Sequence, residues 1–336
     1  MKIAFLTTRT EKPSARLRFL QYIPYLEKEG FSIEVMTIPR GFMERMRFFK
    51  TLSAFDTVFL QKRLFGFIDW RLLRGAAKKI VYDFDDAVMF NDSAKGNPES
   101  SVRMKRFKRT VEESDAVIAG NRYLMEWGLK HNGNTFLVPT AVDTERYREK
   151  KGKHEDSCVT LGWIGSGSTL FYLERMRATF DELFERRPNT RLKIVADRFF
   201  ECGRMPVVKK RWNYGEEAED LGSFDIGLMP LSDDVWARGK CGFKLLQYMA
   251  AGVASVASAV GVNKEIISHG ANGFLAGKDS EWLKHLSELV SDRALRDRFG
   301  EEARKTVYER YSTAVNAPKV KAVLVGAVEA GLWISP

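Results

Sequence analysis

The chain has 336 residues, 44% hydrophobic and 29% charged; that is enough for two ordinary globular domains and excludes a disordered, collagenous or coiled-coil protein. Its 54 Lys and Arg against 44 Asp and Glu leave a net charge of +10, which attracts phosphates, nucleic acid or anionic lipid without choosing among them. No apolar run reaches the roughly 18–20 residues of a membrane span, and MKIAFLTTRT at the start is too poor in apolar residues for a signal peptide. The expectation is a cytoplasmic protein. Cys158, Cys202 and Cys241 are an odd set without CxxC spacing, so neither a disulfide framework nor a zinc site fits, and a reducing compartment does.

Residues 2–8, KIAFLTT, read as a buried parallel strand. A polar loop, a helical stretch ending at Gly30 and an alternating run at 31–38 complete a β-loop-α-β unit. Residues 56–61, 79–84, 115–120 and 134–140 add strands. The charged stretch 144–157, TERYREKKGKHEDS, reads as a linker. The pattern then restarts: strand 158–165, the loop GSGST, a helix, and the strand RLKIVAD at 191–197. SFDIGLMPL, VASVASAV and NGFLA supply strand-like pieces up to residue 276, and 281–328 reads as helical. Both halves open alike. The expected fold class is α/β, with two Rossmann-like domains, 1–150 and 151–336, facing each other across a cleft.

Several stretches could carry chemistry. The loop Gly165-Ser166-Gly167-Ser168-Thr169 joins a strand to a helix, where backbone N–H groups favour anions and glycine lets a phosphate approach. It is neither a Walker A loop nor GxGxxG, and it also suits a capped βα turn. In ARGKCGFKLLQYMAAG, 237–252, the cations Arg238, Lys240 and Lys244 are interleaved with Gly239 and Gly242 ahead of a helix, which suits a diphosphate. A solvated basic loop is the alternative. VYDFDDAVMF places Asp83, Asp85 and Asp86 at the end of a strand that open α/β sheets turn toward ligands. Such carboxylates coordinate metal, act as bases, hydrogen-bond sugar hydroxyls, or cap the strand. Arg9, Lys12, Ser14, Arg16 and Arg18 follow the first strand. The four histidines, His131, His154, His269 and His285, are scattered and read as surface or loop residues. Two basic, aromatic stretches, 40–52 and 103–109, suit either an anionic membrane surface or a core-packed helix with a solvated face.

The stretch 221–276 resembles the donor-binding core of the GT-B-fold glycosyltransferases of family 4, the group 1 type. The family's Glu-Gly-Phe-Gly is matched by Cys241-Gly242-Phe243-Lys244. Its Glu-Ala-Met-Ala is matched by Gln247-Tyr248-Met249-Ala250, and its Val-Val-Ala-Ser by Ser255-Val256-Ala257-Ser258. VPTAVDTERY resembles the family's hinge, and LGWIGSGST its second-domain opening strand.

The resemblance implies a retaining transfer of a sugar from a nucleoside-diphosphate sugar to a saccharide or lipid-linked acceptor, without a bound metal or other cofactor. It suits cell-surface polysaccharide synthesis. It places the diphosphate on Ser166, Gly167, Ser168, Thr169, Arg238, Lys240, Gly242 and Phe243. Lys244, Asp85 and Asp86 are then near the chemistry, the ribose is on Gln247, and the acceptor is near Arg9, Ser14, Arg16 and Asp83. Gln247 stands where the family has the second Glu of a pair; the first falls at Gly239. The expected partners are a nucleotide sugar, the acceptor and an anionic membrane face, not nucleic acid. The competing readings are a basic GT-B-shaped binding protein and a nucleotide-sugar epimerase without acceptor transfer.

Overall fold

The structure is a computed structural model that describes residues 1–10, 13–147 and 158–327. It divides into two compact units. The first holds Met1–Ala141, Asp234–Cys241 and the chain from Thr313; the second holds Val142–Asp233 and Gly242–Ser312. The boundary expected after residue 150 therefore lies elsewhere, and two segments of the second half pack with the first. Residues 148–157 of the expected linker, together with Lys12 and His154, lie outside the described residues.

The first unit is built on a wholly parallel six-stranded sheet, in the order β2-β1-β3-β4-β5-β6. The strands are β1 (Lys2–Thr7), β2 (Ser32–Thr37), β3 (Thr57–Gln61), β4 (Ile80–Phe84), β5 (Ala116–Ala119) and β6 (Thr135–Leu137). Alternation along each strand feeds two cores, because successive side chains leave opposite faces. Ala4, Leu6, Tyr82 and Phe84 join one core with Trp70 and Phe107. Ile3, Phe5 and Val81 join the other. That second core is where Thr313–Val325 belongs: Ala317, Val320, Val323 and Leu324 pack beside Phe5 and Phe59. The long helix expected near residues 15–30 is broken into Pro13–Arg18, a 3₁₀ turn Leu20–Tyr22 and Ile23–Lys28. Pro24, in the first turn of the last piece, has no N–H to continue the earlier ladder.

The second unit repeats the plan with the order β12-β11-β10-β7-β8-β9, again all parallel. Its strands are β7 (Val159–Ile164), β8 (Thr190–Ala196), β9 (Val207–Arg211), β10 (Ile226–Met229), β11 (Ala254–Ser258) and β12 (Phe274–Ala276). Helices Arg177–Arg186 and Asp279–Ser291 cover one face with Leu183 and Leu286. Helix Phe243–Ala250 covers the other, buried from Leu245 onward. Among the described residues no helix is long and apolar enough to cross a membrane.

Candidate functional site

In the second unit, β7 ends in the loop 165–169, and Lys244 reaches it from the first turn of helix Phe243–Ala250. The Lys244 Nζ donates to Thr169 Oγ1 at 3.0 Å and lies 4.2 Å from the centre of the buried Trp163 ring. The glycines are there for space. A Cβ at Gly165 would come within 2.6 Å of Lys244 Nζ and 2.5 Å of the Trp163 ring. At Gly167 it would meet the Arg198 side chain at 2.7 Å. The loop is closed by Ser166 Oγ against Ser168 Oγ at 2.8 Å, by Thr169 N–H donating to the Ser166 carbonyl at 2.9 Å, and by Gly167 N–H donating to the Asp197 carboxylate.

Gly242, the N-cap of helix Phe243–Ala250, has φ +67°, and a Cβ there would strike Ile266 at 2.5 Å. Both facts require glycine. The helix has no side-chain N-cap bond, and its first turn stands beside a lysine and a glycine loop. That arrangement suits an oxyanion. The structure thus brings together Ser166, Gly167, Ser168, Thr169, Gly242, Phe243 and Lys244. It adds Asp197 and Arg198, which follow β8 at positions the sequence reading passed over as strand end.

Gln247 is corrected. It is buried in the same helix, and its amide donates to Tyr147 Oη at 3.0 Å, which in turn donates to the buried Glu217 at 2.7 Å. Trp212 Nε1 donates to the other oxygen of Glu217 at 3.0 Å. This chain pins the segment entering the second unit, and it hides Gln247 from a ribose.

Arg238 and Lys240 belong to the first unit. Segment Asp234–Cys241 lies over the C-terminal ends of β4 and β5. Asn121 Nδ2 donates to the carbonyls of Lys240 at 2.9 Å and Arg238 at 3.3 Å. Ser93 Oγ bonds Asp234 at 3.0 Å, and Cys241 Sγ lies 3.2 Å from the Asp85 carbonyl. Gly120 is needed beneath it: a Cβ there would sit 2.5 Å from Cys241 Sγ. Lys240 Nζ pairs with Asp86 at 2.9 Å.

Lys62, just past β3, also pairs with Asp86, and with Asp85 at 2.9 Å. Its φ of +56° is a left-handed backbone rare outside glycine. Burial pushes the Asp86 carboxyl up, but Lys240 and Lys62 together outweigh it and hold it well below the usual carboxylate range. Burial likewise works against the Lys62 ammonium, and the two aspartates overcome it. Asp86 is therefore an ion-paired anion with little tendency to take a proton, which removes it as a general base. Asp85 is held in the same cluster. Burial raises the Cys241 thiol far above its ordinary value, so it stays an inert thiol.

Asp83 is fully buried on the opposite face of β4 and is no acceptor ligand. Its carboxylate takes Arg18 Nη2 at 2.6 Å and Nε at 3.1 and 3.2 Å. Arg18 Nη1 donates to the Val138 carbonyl at 2.8 Å. Burial pushes the Asp83 carboxyl up to about 6 against the pull of Arg18. Arg9 is exposed, and Ser14 and Arg16 are half-buried. Gln61 Nε2 donates to the Ser14 carbonyl at 2.5 Å, and Gln61 Oε1 accepts from Thr7 Oγ1 at 3.3 Å, which fixes this loop to β3.

Residues 225–306 match the model of the family described as glycosyl transferases group 1. A segment of about a quarter of the chain thus matches the group 1 glycosyl transferase model. HepE from Anabaena, solved with UDP and glucose, superposes with a TM-score of 0.71 over 97% of this chain and 100% of its own, at 16% identity. Sucrose-phosphate synthase from Thermosynechococcus elongatus superposes with a TM-score of 0.74, over 97% and 100%, at 14% identity. At such identities these likenesses establish the fold. A curated relative, the N-acetyl-alpha-D-glucosaminyl L-malate synthase of Bacillus anthracis, is 36% identical over 96 residues, which span 28% of this chain and 24% of that protein. The matched family segment contains Gly242, Phe243 and Lys244 but not the loop 165–169.

Proposed function

We propose that this protein is a retaining glycosyltransferase. It moves a sugar from a nucleoside-diphosphate sugar to a saccharide or lipid-linked acceptor, in the synthesis of cell-surface polysaccharide on the cytoplasmic side of the membrane. The observation that carries the reading is the Lys244 ammonium seated on Thr169, between the glycine loop and the first turn of helix Phe243–Ala250. As the glycosidic bond breaks, negative charge grows on the departing β-phosphate. A fixed ammonium and aligned backbone amides stabilise that charge more in the transition state than in the ground state. No metal is needed in this reading, because side chain and backbone supply the positive charge. The UDP bound by HepE makes UDP the first nucleotide to try.

The test is a thermal-shift screen of UDP, GDP, ADP and dTDP. A ligand at about a hundred times its Kd stabilises by roughly 2.7 kcal/mol, which is a clear rise in Tm. One nucleotide should give that rise, and Lys244→Ala should abolish it. No shift with any of the four, or a full shift in Lys244→Ala, overturns the phosphate site. The anomeric configuration of the product, read by NMR, tests retention.

A further inference from the structure

Each sheet has two edge strands, and three of these edges are guarded against further pairing. β6 and β12 are three residues each, too short to recruit another strand. β9 carries Lys209, Lys210 and Arg211 within five residues, charges that keep another strand away. β2 is different. It runs six residues, SIEVMT, in unbroken register with β1, without a proline, a lysine or a bulge. All six are exposed or half-buried, with Val35 37% exposed. Among the described residues no strand lies beyond it.

The hydrogen bonds on the β1 side show which residues face the open edge. Ser32 N–H donates to the Met1 carbonyl at 3.0 Å, and Ile38 N–H to the Thr7 carbonyl at 2.9 Å. Successive residues of a strand turn their peptide groups to alternate sides, so Glu34 and Met36 face β1 as well. Ile33, Val35 and Thr37 then turn both N–H and C=O outward. Their side chains share one face of the sheet. All three are β-branched, a type that pairs well across strands.

We propose that β2 pairs antiparallel with β2 of a second copy of this chain, about a twofold axis at Val35, and so joins two six-stranded sheets edge to edge. Val35 meets the partner's Val35, Ile33 the partner's Thr37, and Thr37 the partner's Ile33, each pair exchanging both of its N–H···O bonds. The strand's own residues choose this register. An axis at Glu34 would set that carboxylate directly against the partner's Glu34, which is unfavourable. An axis at Met36 would set Ile33 against the partner's Pro39, which has no N–H to give. With the axis at Val35, Glu34, the one charge of the strand, lies opposite the partner's Met36. The exposed Arg40, past one end, comes to the partner's Glu29 at the other, a carboxylate that Lys321 already holds from one side. The strand is complementary to itself, which favours a second copy over a foreign peptide. The proposal stands on this edge and does not rest on the sugar-transfer reading.

Sedimentation equilibrium of the full chain over a series of concentrations tests it. The mass should be that of a dimer and fall toward the monomer on dilution. Val35→Pro removes the N–H at the axis yet spares the β1 ladder, because that N–H points outward. It should raise the dimer Kd about tenfold or more. Val35→Lys sets like charges face to face and should move the Kd the same way. Circular dichroism confirms that both variants fold. Cysteines read the register. Val35→Cys should oxidise to a covalent dimer, since hydrogen-bonded antiparallel partners lie about 5.5 Å apart at Cα, within disulfide reach. Glu34→Cys, opposite Met36, should oxidise no faster than the wild type with its own cysteines. A monomer at every concentration overturns the proposal. So does a dimer whose Kd is unchanged in Val35→Pro and Val35→Lys, or a Glu34→Cys chain that cross-links as readily as Val35→Cys.

Discussion

The Lys240 ammonium lies 2.9 Å from the Asp86 carboxylate, although the two residues are 154 positions apart. Lys62 holds the same carboxylate from the other side. Asp86 therefore works as a clasp that ties segment Asp234–Cys241 to the strand ends of the first unit. Its removal leaves two partly buried ammonium groups facing each other. Breaking a buried pair costs about 3–5 kcal/mol; with some solvent access here, Asp86→Ala should cost about 1–3 kcal/mol by urea unfolding. Lys240→Met should cost less, because Lys62 still pairs with Asp86.

The clasp also sets a pH dependence. The folded Asp86 carboxyl sits below its unfolded value of about 3.9. Its contribution is therefore complete above that value and is lost as pH falls through the folded one. The stability gap between the wild type and Asp86→Asn should be constant from pH 7 to about 5 and narrow below about 4. A gap that widens on acidification would contradict the assignment.

Asp83 and Arg18 make the starker case, with both side chains 1% exposed. Asp83→Leu leaves a buried guanidinium without its partner and should cost about 3–5 kcal/mol. Arg18→Met/Asp83→Leu removes both charges and should recover most of that loss. Equal losses in the single and double variants would show that the pair does not share its energy as described.

At Gly165 stability and ligand binding meet. A Cβ there is 2.6 Å from Lys244 Nζ, which can swing away, and 2.5 Å from the Trp163 ring, which is buried and cannot. Gly165→Ala should cost about 1–3 kcal/mol. It should also remove the nucleoside-diphosphate Tm shift, because the displaced ammonium no longer meets Thr169. Lys240→Ala should keep that shift, since its ammonium is held by Asp86.

The sheets were legible because fully buried parallel strands leave unbroken apolar runs, as in KIAFLT and VTLGWI. The edge strand β9 was not: VVKKR shows water its lysines, and its burial pattern is mostly exposed. Lys240 and Lys244 read as one basic loop, yet a unit boundary falls between them at Cys241 and Gly242. Nothing local marks that crossing, because Lys240 is claimed by Asp86 and Asn121 through contacts more than a hundred residues long. Asp83 was readable in principle. Alternation puts it on the same face of β4 as Val81, away from Tyr82 and Phe84. Lys62 carried no signal, since a lone lysine after a strand gives no hint of a left-handed backbone or of two aspartates waiting for it.

The resemblance places the first glutamate of the family pair at Gly239, which raises the question of whether that carboxylate can be restored. The surroundings answer it: a Cβ at Gly239 would lie 2.6 Å from the Ala87 Cβ and 2.7 Å from the Ala87 backbone nitrogen. A backbone atom cannot rotate aside, and Ala87 is itself buried between Asp86 and the core. Gly239→Glu should therefore not add a catalytic group. It should lift segment Asp234–Cys241 off the strand ends and cost about 3 kcal/mol or more through overpacking and the strained clasp. Gly239→Ala, which adds the Cβ without charge, should lose most of the same stability in urea. A Gly239→Ala protein as stable as the wild type would show that Ala87 yields, and would reopen the position to a carboxylate.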